Sequence, residues 1–226
     1  MTTVAQYSID YQLLEPAHLM AGKRQRHFKG LLFIVHQGAG LLQLGPHYYL
    51  LGKEDAVFLP ADTLFSWHTL AMSCVSRLAF SPRLAQPKQA GLLLAAPLLV
   101  AGAARLASWT ECLEWQGAHG RLCRVIHDEL QRHTPIALNT RARGAALSPL
   151  QQMLSANLVN FSLSAEQEIE FAARFALPPA DVKRQISLLM ILRDLAKTPD
   201  LNALVQAYGL GSVSEFEQAC RQWLNP

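Results

Sequence analysis

The chain has 226 residues, half of them hydrophobic, and this composition excludes a disordered or fibrous protein. Its net charge of +3 is divided unevenly: residues 1–150 carry 14 Lys and Arg against 9 Asp and Glu, whereas residues 151–226 carry 6 against 8. The amino terminus lacks the pattern of a signal peptide, and the longest uncharged run, between Lys88 and Arg105, is too short to cross a bilayer. We therefore expect a cytoplasmic protein with no membrane partner.

Short apolar or alternating runs, separated by turn residues, fill the first part of the chain. Runs of this length and spacing are typical of a small antiparallel sandwich or barrel. The predicted strands are Tyr7–Leu14, Leu31–His36, Leu41–Leu44, His47–Leu51, Ala56–Leu59, Phe65–Leu70 and Cys74–Phe80.

The pattern becomes helical after a Pro-containing segment at residues 81–88. Steps of three and four predict two buried stripes, formed by Leu98, Leu99, Ala103 and Leu106 and by Leu122, Val125, Ile126 and Leu130. Further helices are predicted at Pro149–Asn160, Ala165–Phe175, Ala180–Lys197, Leu201–Ala207 and Ser212–Leu224. Asp200 and Ser212 are predicted N-caps, because their side-chain oxygens can accept from free amides of the first turn.

These elements predict an α+β protein with two domains. Residues 1–133 are expected to form a β domain with two trailing helices, residues 134–148 a linker, and residues 149–226 an all-helical domain.

The last 27 residues hold a turn glycine, Gly209, then Ser212 and Ser214 at the start of a helix, an aromatic at Phe216 and a late basic residue at Arg221. This pattern resembles the second helix-turn-helix of AraC/XylS-type transcription regulators. Residues 171–184 resemble the first helix-turn-helix of that family, and residues 186–196 resemble the helix that joins the two motifs. Residues 27–38, 52–62 and His68 resemble its cupin-like sensory domain, and residues 96–100 and 122–131 its dimerisation helices.

The resemblance implies a transcription regulator that binds promoter DNA as a homodimer. The positions expected to contact DNA are Lys183, Arg184, Ser214, Gln218 and Arg221. The helices at residues 97–105 and 122–131 are candidates for the dimer contact, although their apolar stripes would also suit packing on the chain's own sheet.

Three features depart from the family pattern. About a dozen residues are missing after Arg184, so Val182–Ala196 is predicted to be one continuous helix, which would prevent the two motifs from reaching adjacent major grooves about 10 base pairs apart. The helical domain has a net negative charge, with Glu215 and Glu217 near the start of its last helix, and Cys220 replaces an aromatic. The alternative is therefore a regulatory protein that acts by contact with another protein, with weak or no DNA binding.

A metal site is not expected, because His27 matches the second histidine of the cupin pair whereas the first position is Gln25. An effector pocket lined by His27, Phe33, Phe58, Trp67 and His68 is one hypothesis; the other is that these apolar side chains simply fill a small barrel. No catalytic or cofactor motif is present in the sequence and the four cysteines form no CxxC pair, so neither an enzyme nor a cofactor is expected.

One short segment, Lys23–Lys29, carries four cations. It is either a phosphate-facing patch, a docking site for an acidic partner, or a strand edge protected by charge.

Overall fold

The computed structural model describes residues 8–111, 113–138 and 163–224. The strands are β1 Ile9–Leu14, β2 Gln25–Arg26, β3 Gly30–Gln37, β4 Gly40–Leu44, β5 His47–Leu51, β6 Ala56–Leu59, β7 Leu64–Thr69, β8 Cys74–Phe80 and β9 Gly91–Leu92. The helices are α1 Pro97–Ala107, α2 Ala118–Leu130, α3 Ala165–Phe175, α4 Pro179–Leu195, α5 Leu201–Ala207 and α6 Val213–Trp223. The predicted α+β class and all seven predicted strands are confirmed, whereas the two-residue strands β2 and β9 were not predicted.

Two antiparallel sheets form a β-sandwich. The first sheet has the order β1-β8-β3-β6-β9 and the second the order β2-β7-β4-β5. Between them, the rings of Phe33 and Trp67 stack with centroids 4.1 Å apart. Successive side chains of a strand point to opposite faces, so β3 turns Phe33 and Val35 into the sandwich and Leu32 and Ile34 outward. Both faces of β3 are buried, which explains why its sequence is continuously apolar.

Helices α1 and α2 cover the outer face of the first sheet. Leu99 and Leu106 of α1 and Ile126 of α2 pack there with outward-facing sheet residues. The predicted stripes are wrong at Leu98 and Val125, whose exposed fractions are 48% and 46%. In both cases the buried row is rotated away from the predicted residue: α1 buries Leu99, Gly102, Ala103 and Leu106, and α2 buries His119, Gly120, Cys123, Ile126, His127 and Leu130.

The remaining helices cover the outer face of the second sheet. Leu41, Leu50 and Leu70 of the β domain share one apolar core with Phe175 and Ile186. The middle of helix α4 is enclosed by the rest of the protein, because residues 185–191 are all buried. The predicted continuous helix is confirmed, and Asp200 and Ser212 act as N-caps by accepting from the backbone N–H groups of Ala203 and Glu215.

The predicted helix Pro149–Asn160 and most of the predicted linker lie outside the described residues. At the start of that linker, Ile136 forms a β-bridge with Leu92. The domain boundaries at residues 133 and 149 remain a prediction. Within the described ranges, no helix is both long enough and apolar enough to cross a membrane.

Candidate functional site

Helices α5 and α6 form a compact helix-turn-helix. Gly209 adopts a φ of +70° in the connecting turn, a left-handed conformation that glycine accepts without strain. Val205, Leu210 and Phe216 are buried and hold the two helices together. The opposite side of α6 is exposed and carries Ser214, Gln218 and other polar residues.

The predicted DNA-contacting residues come from α4 and α6. Arg184 and Gln218 line one small cleft of about 50 Å³ between these helices. Ser214 and Arg221 are exposed on α6, and Lys183, beside Arg184, is half-buried. The structure therefore brings Arg184 and Gln218 together and leaves Ser214 and Arg221 accessible along the same helix.

The helical domain exposes several acidic groups, and two of them belong to this surface. Glu215 lines the same cleft as Arg184, and Glu217 is exposed one residue before Gln218. Helix α3 exposes three more carboxylates, Glu166, Glu168 and Glu170. Carboxylates near phosphate groups oppose binding, so this surface alone has little electrostatic attraction for DNA.

Hydrogen bonds at Arg174 connect α3 to the β domain. The Nη2 atom of Arg174 donates to both carboxylate oxygens of Asp55, at 2.8 and 2.7 Å, and the backbone N–H of Lys53 donates to the carbonyl of Arg174. A Cβ added at Gly52 would lie 2.7 Å from the Phe175 ring, so the absence of a side chain there permits the close approach.

Helix α4 makes two more contacts with the β domain. The buried Gln185 accepts from the backbone N–H of Ala71 through Oε1 at 2.7 Å. At the other end, Arg193 donates to the hydroxyl of Tyr48 at 3.0 Å and pairs with Asp194. Hydrogen bonds from Arg193, and from Tyr208 to a smaller extent, lower the pKa of Asp194 to about 2.

An open pocket of about 550 Å³ lies between the second sheet and α4. Its apolar wall comes mainly from α4, through Leu189, Met190 and Leu192. Its remaining lining residues include three cations and no Asp or Glu; they are Ala21, Gly22, Arg24, Gln43, Tyr48, Ser66, His68, Arg193 and Lys197. The pocket is therefore amphipathic and electropositive.

Inside this pocket, His68 is held neutral by its surroundings. Burial lowers the pKa of His68 to about 4. Its Nδ1 atom accepts from the backbone N–H of Gly22 at 3.2 Å, which places the ring proton on Nε2. That N–H donates to Ser66 Oγ, and the Ser66 hydroxyl donates to Gln43 Oε1, each at 3.1 Å. These three hydrogen bonds fix the orientation of the polar side chains in the wall of the pocket.

The five predicted effector residues lie on different surfaces of the sandwich. Phe33 and Trp67 stack between the sheets, whereas Phe58 faces α1 on the outer side of the first sheet. His68 faces the interdomain pocket, and half-buried His27 stacks on Phe28 and accepts from the backbone N–H of Lys29. A single pocket that contains all five is therefore wrong, because alternate strand residues point to opposite faces of a sheet.

The four cations of residues 23–29 are not one exposed patch. Lys29 is buried and pairs with Asp10, whereas Lys23, Arg24 and Arg26 are exposed. Among the described residues no group of three potential metal ligands is present.

Sequence reasoning did not identify Arg24, Arg193 and Lys197 as members of one pocket. The available signal was the pair of cations at Arg193 and Lys197, which are four residues apart and therefore neighbours on the predicted helix Ala180–Lys197. Their position opposite Arg24 depends on how the domains dock, which no local pattern encodes.

No protein-family model matches the chain, and no curated protein matches it. Among solved structures, ToxT from Vibrio cholerae matches 97% of this chain and 96% of its own, at 11% identity and a TM-score of 0.39. ToxT from Vibrio cholerae O395 bound to (E)-4-(8-methylnaphthalen-1-yl)but-3-enoic acid matches with 12% identity and a TM-score of 0.39, over 96% of this chain and 95% of that one. A cupin superfamily protein from Desulfitobacterium hafniense matches 34% of this chain and 72% of its own, with 15% identity and a TM-score of 0.29. Similarities this low assign no function to any residue.

Proposed function

We propose that the chain is a transcription regulator of the AraC/XylS type that contacts promoter DNA through its helical domain. The observation that carries the proposal is the α5–α6 helix-turn-helix, whose exposed face presents Ser214, Gln218 and Arg221 beside Arg184. Exposed polar side chains at the start of a second helix are suited to reach base edges in a major groove. In this proposal the chain acts by binding, catalyses no reaction, and is a homodimer.

Mobility-shift titrations test this function. The probes are duplexes from upstream of the chain's own gene and scrambled duplexes of equal length, each at two salt concentrations. We expect preference for one upstream duplex, with affinity that falls steeply as salt rises. Equal or absent binding of all duplexes would contradict the proposal.

Variants on α6 sharpen this test. Arg221→Ala should weaken binding, whereas Glu217→Gln, which removes an exposed carboxylate from the same helix, should strengthen it. If neither variant alters affinity, α6 does not contact DNA.

The second candidate is a regulator that acts through protein contact. The charge of the helical domain favours it: residues 163–224 carry eight Asp and Glu and six Lys and Arg, and two of those cations, Arg174 and Arg193, are engaged by Asp55 and Asp194. In that case the chain would bind no duplex but would reduce the mobility shift given by a DNA-binding AraC/XylS-type regulator from the same cell.

A further inference from the structure

Cations from both domains meet on one concave surface. Arg24 of the β domain lines the interdomain pocket together with Arg193 and Lys197 of the helical domain. Lys23 and Arg26 are exposed on either side of Arg24, and β2, which contains Arg26, is an edge strand of the second sheet. We call these five residues the cationic junction.

Few carboxylates oppose this charge. Asp194 pairs with Arg193 and lies 3.7 Å from the ammonium of Lys197. The backbone carbonyl of exposed Asp62 accepts from Arg26. Among the residues that the structure describes, Lys23, Arg24 and Arg26 have no ion pair, so the cationic junction keeps an excess of positive charge.

The segment that precedes the cationic junction contacts the carboxyl end of α6. The backbone N–H of Leu19 donates to the carbonyl of Trp223, the last residue of α6, at 2.7 Å. Leu19, four residues before Lys23, therefore lies against the last residue of the helix that is proposed to contact DNA.

The geometry points to duplex DNA as the occupant: we propose that the cationic junction binds the phosphate backbone of the duplex whose bases α6 contacts. A small anion would need only the cations inside the pocket, whereas the charge continues outside it to Lys23 and Arg26, as a repeating polyanion requires. This inference rests on the proposed function and supplies the phosphate contacts that the acidic helical domain lacks.

Two charge-matched double variants test the cationic junction in the full-length chain. Arg24→Ala/Lys197→Ala removes one junction cation from each domain. Arg121→Ala/Arg132→Ala removes two exposed cations in and just after α2, which covers the other side of the sandwich. All four side chains are exposed, so the free energy of unfolding of each double variant should remain within about 0.5 kcal/mol of the parent value. Thermal unfolding measures this quantity and shows that the variants are folded.

The readout is fluorescence anisotropy with labelled upstream and scrambled duplexes over a range of salt concentrations. The slope of log affinity against log salt is negative. We expect it to become shallower by about 0.9 for each junction cation removed, for both duplexes. The control double variant should retain the parent slope. Equal losses in the two variants, or an unchanged junction variant, would overturn the assignment.

The same data separate this inference from the proposed function. Binding that the junction variant weakens, without preference for any upstream duplex, supports the cationic junction and contradicts promoter recognition. If the chain prefers one upstream duplex and the junction variant binds it with unchanged affinity and salt dependence, the proposed function is supported and the proposal that the cationic junction binds phosphates is overturned. Absence of duplex binding overturns both, and calorimetric binding of inorganic phosphate in that case would assign the pocket to a small anion instead.

Discussion

The two outer faces of the sandwich are covered in different ways. On the first sheet, α1 and α2 bury an almost entirely apolar surface that includes Phe58, Phe80 and Leu99. On the second sheet, the helical domain shares an apolar core with the strands but also makes the Asp55–Arg174 pair and borders a pocket of about 550 Å³. The first interface resembles the interior of one domain, and the second resembles the more polar contact between two domains.

This difference indicates where the molecule can respond to a ligand. Close apolar packing is costly to disrupt, so the first face serves to hold the β domain together. The second face combines a cavity with cations from both domains, a lining that is suited to an anion.

The largest expected effect comes from removing an aromatic ring at the first face. Phe58 is fully buried between the first sheet and α1, and Phe58→Ala should lower the free energy of unfolding by about 3–5 kcal/mol. Urea unfolding followed by circular dichroism measures this loss. The matched variant Phe175→Ala removes an equally buried ring at the second face. A loss of less than about 1 kcal/mol in Phe58→Ala would contradict the close packing of this ring.

The ion pair between the domains should have the next largest effect. In Asp55→Ala, the partly buried guanidinium of Arg174 loses two hydrogen bonds and the backbone N–H of Gly52 loses its acceptor. The free energy of unfolding should fall by about 2–3 kcal/mol. The control Asp128→Ala removes a carboxylate that is 75% exposed on α2, and should cost less than about 0.5 kcal/mol. Similar urea midpoints for both variants would show that the pair contributes little to docking.

The lowered pKa of His68, which lines the pocket at the second face, predicts that the free energy of unfolding depends on pH. Burial lowers the pKa of His68 in the folded chain to about 4, whereas its pKa in the unfolded chain is about 6.5. Below pH 6.5 the unfolded chain therefore binds more protons, and the free energy of unfolding decreases as the pH is lowered. Between pH 6.5 and pH 5 the loss should be about 1.6 kcal/mol. His68→Asn, which keeps an acceptor for the Gly22 N–H, should remove this component in urea titrations at the two pH values. A parent chain whose stability is constant over this range would contradict the lowered pKa of His68.

The sequence predicted local elements more accurately than it predicted contacts between them. Strand alternation and the caps at Asp200 and Ser212 are local signals, and the structure confirms the corresponding elements. Burial in α1 and α2 depends on which helix face meets the sheet, so Leu98 and Val125 were misplaced. The interdomain pocket joins Arg24 to Lys197 through domain docking, for which a single sequence contains no period or motif.

The smallest effect on folding is expected at the exposed apolar residues of the first face, where it tests the predicted homodimer. Leu98 and Val125 lie outside the apolar core between the sheet and its helices, so Leu98→Ser/Val125→Ser should change the free energy of unfolding of a monomer by less than about 0.5 kcal/mol per site. If α1 and α2 form a two-fold contact, both residues enter the interface twice, and the double variant should sediment as a monomer at micromolar concentrations where the parent is dimeric. Ile169→Ser, at a residue 72% exposed on α3, is the matched control and should leave the parent dimer intact. A monomeric parent would contradict the homodimer prediction, and a dimer that survives the double variant would place the contact on another surface.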